Sequence, residues 1–190
     1  MGWLTRIFGA KHQPAAPPAR PALPAASRLA IYNQLLAELV AEPALRATVY
    51  AAVARAFADP QSFYDEHHEY TLAMRGLTFP RHAALTPKFV LIDMLCSHNL
   101  LAEVDWKEAE DEIRQQVRAI MQARQYPVVV SIEEQYEDEP THEVIYLLDH
   151  EELGPNGYSL QTLDIQADSY VFTIVRQEAA ARVQELFRQL

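Results

Sequence analysis

A run of thirteen mostly apolar residues, 89–101 (FVLIDMLCSHNLL), constrains the fold more than any other part of the chain. The run is shorter than the ~18 apolar residues that a membrane-spanning helix needs. Its apolar positions cover almost the whole circumference of a helix, which predicts a helix buried on nearly all sides. Thr86 and Pro87 precede it as a predicted cap and first-turn proline. The rest of the chain must therefore supply the elements that cover this helix.

Helical spacing dominates the chain before residue 126. Ser27 is a predicted cap, Pro43 suits the first turn of a helix, and Gly76 suits a helix end. Asp105 and Glu108 have the spacing of a capping box, which predicts that a helix begins there. The predicted helices cover about 27–40, 43–58, 62–75, 86–101 and 105–124.

The pattern changes at residue 126. The segment 127–134 (PVVVSIEE) predicts a strand, and its continuous apolar start is typical of a central position in a sheet. A helix is predicted after Thr141, followed by a hairpin of strands at 158–165 and 169–176 and a last helix. A right-handed crossover would make the first two strands parallel. The sequence thus predicts one α+β domain: about five helices in 27–125, then a β-α-β-β-α unit with a three-stranded mixed sheet in 126–190.

Residues 1–26 are expected to be separable from this domain. Residues 1–9 form a short amphipathic segment, and residues 13–26 contain five of the twelve prolines, which indicates a semi-extended linker. The beginning of the chain lacks the pattern of a secretory signal. We therefore expect a soluble, cytoplasmic protein without integral membrane association, with weak peripheral membrane contact through residues 1–9 as an alternative.

The charge of −10 is distributed unevenly along the chain. Residues 1–100 hold nine basic and seven acidic residues, whereas residues 101–190 hold seven and nineteen. Such a surface repels nucleic acid, so we expect no nucleic-acid partner. Fifteen acidic and four basic residues lie within 103–152. Either this cluster is a solvated surface, or it is a docking surface for a basic protein. The candidate binding residues are Glu133, Glu134, Glu137, Asp138 and Glu139, with Trp106 as a candidate anchor.

Few patterns in the sequence favour catalysis. The five glycines form neither a phosphate-binding loop nor a dinucleotide fingerprint, and we expect no cofactor. In the segment DEHHEY, Asp65, His68 and Glu69 would share one face of a helix and could ligate a transition metal. A solvated polar face accounts for the same three residues. Cys96, the single cysteine, is expected to be a buried, unreactive thiol.

Two short stretches resemble a bacterial family of unknown function. The first runs through Asp105, Trp106 and Lys107 towards a Glu-Ile pair, and the second is a late strand that begins Asp168-Ser169-Tyr170. The resemblance covers roughly residues 88–176. It implies no known reaction, cofactor or site residues.

These observations favour a non-enzymatic binding or regulatory protein with an acidic recognition surface in its C-terminal half. An immunity or inhibitor role against a basic partner is its most concrete form. The alternative is a metal-assisted hydrolase that uses Asp65, His68 and Glu69.

Overall fold

The computed structural model describes residues 24–64, 72–136 and 139–190. This part of the chain is α+β, as predicted, with six α-helices and a three-stranded sheet. In chain order the elements are α1 (Ala25–Leu39), α2 (Pro43–Ala58), α3 (Thr86–Ser97), β1 (Ala102–Asp105), α4 (Glu110–Ala123), α5 (Thr141–Leu147), β2 (Tyr158–Leu163), β3 (Ser169–Arg176) and α6 (Gln177–Arg188).

The predicted central helix is α3, and its burial is confirmed. Val90, Leu91, Ile92 and Leu95 have no exposed surface. The helix is shorter than its apolar run, because it ends at Ser97 and a turn follows in which Asn99 has a φ of 53°. The last part of the run therefore leads into β1 instead of extending the helix.

The sheet has the order β1-β3-β2, and both pairings are antiparallel. Strand β3 lies in the centre, between β1 and β2. Its side chains alternate between two apolar cores: Val171 and Val175 join the first, and Phe172 and Ile174 join the second. The first core also contains side chains of α1, α2, α3 and α6, and the second contains side chains of α4 and α5. The apolar run of β3 is continuous because both of its faces are buried.

The strand predicted at 127–134 does not form, so the prediction of a mixed sheet is wrong. Only Val130 of this segment's apolar side chains is fully buried, while Val128 and Ile132 are exposed. Two of its backbone carbonyls are bound by side chains of α4: Arg114 donates to the carbonyl of Ser131, and Arg118 donates to that of Val130. The third strand is β1, which the sequence analysis assigned in part to a helix.

The capping box predicted at Asp105 is also wrong. Asp105 ends β1, and its carboxylate accepts the N–H of Lys107 two residues later. Helix α4 begins five residues further on, at Glu110. A short polar residue bonds its own backbone equally well in a turn and at a helix start, so the local pattern did not separate the two.

Other helix boundaries shift as well. Helix α1 begins at Ala25, ahead of the predicted cap at Ser27. Thr86 and Thr141 are the first residues of their helices instead of caps. Of the helix predicted over 62–75, the described ends are 3₁₀ turns at Gln61–Phe63 and Leu72–Arg75, and residues 65–71 lie outside the described part.

Helix α5 continues into a π turn, Leu148–Leu153. Leu148 and Leu153 are both fully buried and stand five residues apart, the spacing that a π turn brings to one side. Across the described residues, every helix is too short or too polar to span a membrane.

Candidate functional site

The most deeply buried charge in the described chain is the guanidinium of Arg114, which is 1% exposed. It lies on α4 one turn after Glu110, and its Nε is 2.6 Å from the Glu110 carboxylate. Its Nη1 is 2.8 Å from the carboxylate of Glu152, which the π turn supplies. Because an unpaired buried charge is very costly, these two carboxylates are required to keep Arg114 in place.

The same carboxylates bind the backbone of the irregular segment 128–136, which we call the pinned loop. Glu110 accepts the N–H groups of Gln135 and Tyr136, each at 2.8 Å. Glu152 accepts the N–H of Ser131 at 3.1 Å and the hydroxyl proton of Tyr136 at 3.2 Å. Long-range ionic contacts therefore hold a loop that has no regular secondary structure.

These contacts shift the pKa values of the network. Burial disfavours the ionised form of Glu110, but the two loop N–H groups and Arg114 outweigh it and lower its pKa. Burial opposes the charge of Arg114 too, yet Glu110 and Glu152 raise its pKa. Burial and the charge of Glu152 raise the pKa of Tyr136 to about 12. Glu110 and Arg114 are therefore both charged at neutral pH.

The outer side of the pinned loop is exposed. Ile132 is 75% exposed, the most exposed large apolar side chain in the described chain, and Glu133 and Glu134 follow it, also exposed. Glu139 is exposed too, and its N–H donates to the carbonyl of Tyr136. No ion pair among the described residues uses these three glutamates. Of the predicted binding residues, Glu137 and Asp138 lie outside the described part.

Trp106, the predicted anchor, occupies a different place. It follows β1, its side chain is 51% exposed, and its backbone N–H donates to the carbonyl of Asp168. The ammonium of Lys107 lies 4.3 Å from its ring centre. Its contacts thus join it to the loop between β2 and β3.

The candidate metal ligands Asp65, His68 and Glu69 lie outside the described residues, so that prediction stays open. Elsewhere in residues 24–64, 72–136 and 139–190, no three His, Cys, Asp or Glu side chains are grouped to hold a metal ion.

A second ionic cluster, which the sequence analysis missed, joins four elements. Arg75 is the last residue of the 3₁₀ turn Leu72–Arg75, and it donates to both carboxylate oxygens of Glu103 on β1, at 2.8 and 2.7 Å. It also donates to Asp93 on α3, and Ser169 on β3 donates to Glu103 at 3.1 Å. Burial, together with the charge of Glu103, raises the pKa of Asp93 against the opposing effect of Arg75. The cluster is closely paired and links the 3₁₀ turn to the sheet.

Cys96 lies near this cluster, and its surroundings make its thiol unreactive. Burial, with the charges of Glu103 and Asp93, raises its pKa to about 12. Only the thiolate is a strong nucleophile, so the thiol has little reactivity at neutral pH.

Beside this cluster lies a cleft of about 860 Å³. It is bounded by the beginning of α3, by the loop of residues 164–168 between β2 and β3, and by the end of α6. Its polar lining includes His82, Lys88 and Arg188. These residues are distant in sequence, and only the tertiary fold brings them together.

The geometry thus defines an α+β protein that fixes an acidic surface loop over a buried ion-pair network. The family model "Domain of unknown function (DUF6630)" matches residues 32–190. Since this match covers most of the chain, the protein belongs to that family. The predicted resemblance to a family of unknown function is confirmed, and the match extends well beyond the 88–176 expected. No curated protein and no solved structure matches the chain.

Proposed function

We propose that this protein is a non-enzymatic binding or regulatory protein whose recognition surface is the outer side of the pinned loop together with Glu139, which follows it. The partner would be a basic protein that offers an apolar pocket to Ile132 and cations to Glu133, Glu134 and Glu139. An immunity or inhibitor role in the cytoplasm is the concrete form that we propose. The observation that carries the proposal is the buried Arg114 network, which fixes the loop from beneath.

Energetics support this interpretation. Replacing a buried ion network by apolar side chains is often neutral or stabilising, so such a network is weak evidence for stability alone. Here it orders a loop whose outward side carries an exposed isoleucine followed by two exposed glutamates, which take part in no ion pair of the described residues. A surface held in one conformation loses less entropy on binding. The network therefore makes physical sense as the support of a recognition surface.

Charge and apolar contact have separate roles in this proposal. The exposed glutamates would accelerate association with a basic partner, and salt would weaken that effect over about 8 Å at physiological ionic strength. Ile132 would supply a central apolar contact, which mainly slows dissociation.

The test compares two variants with the same net charge. The loop variant carries Glu133→Gln, Glu134→Gln and Glu139→Gln. The control carries Glu42→Gln, Asp59→Asn and Glu178→Gln at exposed positions on α2 and α6 or beside them. Each change removes three of the negative charges, so both proteins have a formal net charge of −7 instead of −10.

We expect the loop variant to elute from an immobilised polylysine column at lower salt than the control. In affinity capture from host cells, a basic protein should bind the wild type and the control but not the loop variant or Ile132→Ser. Equal elution of both variants, together with capture that does not depend on the loop, would contradict the proposal.

A further inference from the structure

The cleft beside α3 has the composition of a small-molecule site. Its volume of about 860 Å³ lies in the range of known ligand pockets, about 300–1,000 Å³. Its apolar wall comes from three parts of the chain that only the fold brings together. This wall consists of Leu77, Leu85, Phe89, Ile165, Phe187 and Leu190.

Most charged groups of the cleft already have partners. Arg75 is paired with Glu103 and Asp93, and Arg188 is 3.3 Å from Glu185. The carboxylate of Asp164 accepts the N–H of Gln166 within its own loop. These groups shape the cleft, but each of them already has an ionic or hydrogen-bond partner.

Lys88 differs from them. Its half-buried side chain donates to the backbone carbonyl of Asp164 at 3.0 Å, and no ion pair of the described residues includes it. Burial lowers its pKa, and the charge of Asp164 offsets this only in part. An ammonium has three donors, so donors remain for a ligand after the bond to Asp164. A half-buried cation at an apolar wall is best satisfied by an anion.

His82 adds a second donor to the lining. Its Nδ1 accepts the N–H of Thr78 at 2.8 Å, so the proton of the neutral ring is on Nε2. His82 thus brings an Nε2–H donor to the lining of the cleft.

We infer that this cleft binds a small amphipathic anion, with its apolar body against the Phe89–Phe187 wall and its anionic group on Lys88. The site lies apart from the pinned loop and is independent of the function proposed for that surface. Carboxylates and sulfonates with an aromatic or aliphatic body have the required chemistry.

The probe is 8-anilinonaphthalene-1-sulfonate, titrated into the full chain at neutral pH and followed by fluorescence. We expect saturable binding at one site, about tenfold or more weaker in Lys88→Gln and restored to within about threefold in Lys88→Arg. Lys107→Gln, which removes an exposed lysine beside an aromatic ring elsewhere, should bind like the wild type. The loop variant should do so as well. Decanoate should displace the probe, and decanol should do so less well.

Unsaturable binding by the wild type, or equal affinity of Lys88→Gln, would overturn the inference. If Lys88→Gln does not unfold cooperatively, its affinity is not informative, and the binding site is instead mapped by NMR on the wild type. Addition of the probe should then shift the signals of Ile165, Phe187 and Leu190 first. Shifts confined to other residues would overturn the inference.

Discussion

Two loops of this protein are held by opposite means. The pinned loop is fixed by groups distant in sequence, since the backbone N–H groups of Ser131, Gln135 and Tyr136 donate to the carboxylates of Glu110 and Glu152. The loop of residues 164–168 contains a local turn, in which the Asp164 carboxylate accepts the N–H of Gln166, a residue with a φ of 56°. Its carbonyls at Asp164 and Asp168 each accept one further bond, from the Lys88 ammonium and from the backbone N–H of Trp106. The pinned loop depends on a buried ion network, whereas the other loop combines a local turn with two single hydrogen bonds from outside.

This difference has consequences for stability. A local turn can be lost without disturbing the rest of the molecule, because its bonds close over two residues. Loss of the pinned loop would instead remove hydrogen-bond partners from the buried side chains of Glu110 and Arg114.

The largest expected effect comes from removing the cation of the network. Arg114→Met leaves two carboxylates buried without a counter-ion, and we expect unfolding free energy to fall by about 3–5 kcal/mol. Urea denaturation of both proteins measures it. The matched control is Arg182→Gln, whose guanidinium is 68% exposed in its pair with Glu38 and should contribute less than about 1 kcal/mol. Similar losses of unfolding free energy in the two variants would mean that burial does not increase the contribution of Arg114 to stability.

Removing one carboxylate should have a smaller effect that depends on pH. Glu110→Gln should lower the unfolding free energy at pH 7 by about 1–3 kcal/mol, because it weakens a charge-assisted set of hydrogen bonds. The pKa of Glu110 is lowered in the folded state from its usual 4.5, so its stabilising effect is present above pH 4.5. This effect is lost as the pH falls through the folded-state pKa.

The measurement for Glu110 is urea denaturation of both proteins at several pH values between 3 and 7. We expect the difference in unfolding free energy between the two proteins to shrink below about pH 4.5, because protonation of Glu110 then removes its charge from the wild type as well. A difference that stays constant down to pH 3 would show that the charge of Glu110 is not what binds the loop.

The smallest effect is expected in the other loop. Asp164→Ala removes one exposed turn bond and should cost no more than about 1 kcal/mol, while the carbonyl of Asp164 still accepts from Lys88. The same urea experiment measures it. A loss as large as that of Arg114→Met would erase the contrast between local and long-range fixation.

Elements with a strong period were predictable from sequence. The buried helix α3, the β2–β3 hairpin and the stripe of α4 all follow from apolar spacing. The segment 127–134 was mistaken for a strand because its apolar start is locally indistinguishable from one. Strand β1 was missed because four residues of the sheet edge carry too short a pattern, and its antiparallel partner lies more than sixty residues away.

The residues of the candidate site were harder to predict from the sequence. The acidic segment was visible as a charge run, but nothing in the run reveals that Arg114 fixes it. The spacing of Glu110 and Arg114, four apart on a helix, was the available signal for half of the network. Glu152 and the loop N–H groups join through tertiary contact alone. Lys88 carried no signal in the sequence, because the apolar wall beside it is assembled by the fold from three separate parts of the chain.

Hydrogen exchange in the wild type, followed amide by amide at neutral pH, tests most directly whether the acidic loop is held in one conformation. The amides of Ser131, Gln135 and Tyr136 donate to the network, whereas that of Gln166 donates to an exposed local turn. We expect the three pinned amides to exchange at least about a hundredfold more slowly than Gln166, after correction for intrinsic rates. Exchange of all four at similar rates would contradict the account, because the loop would then be no more fixed than an ordinary turn.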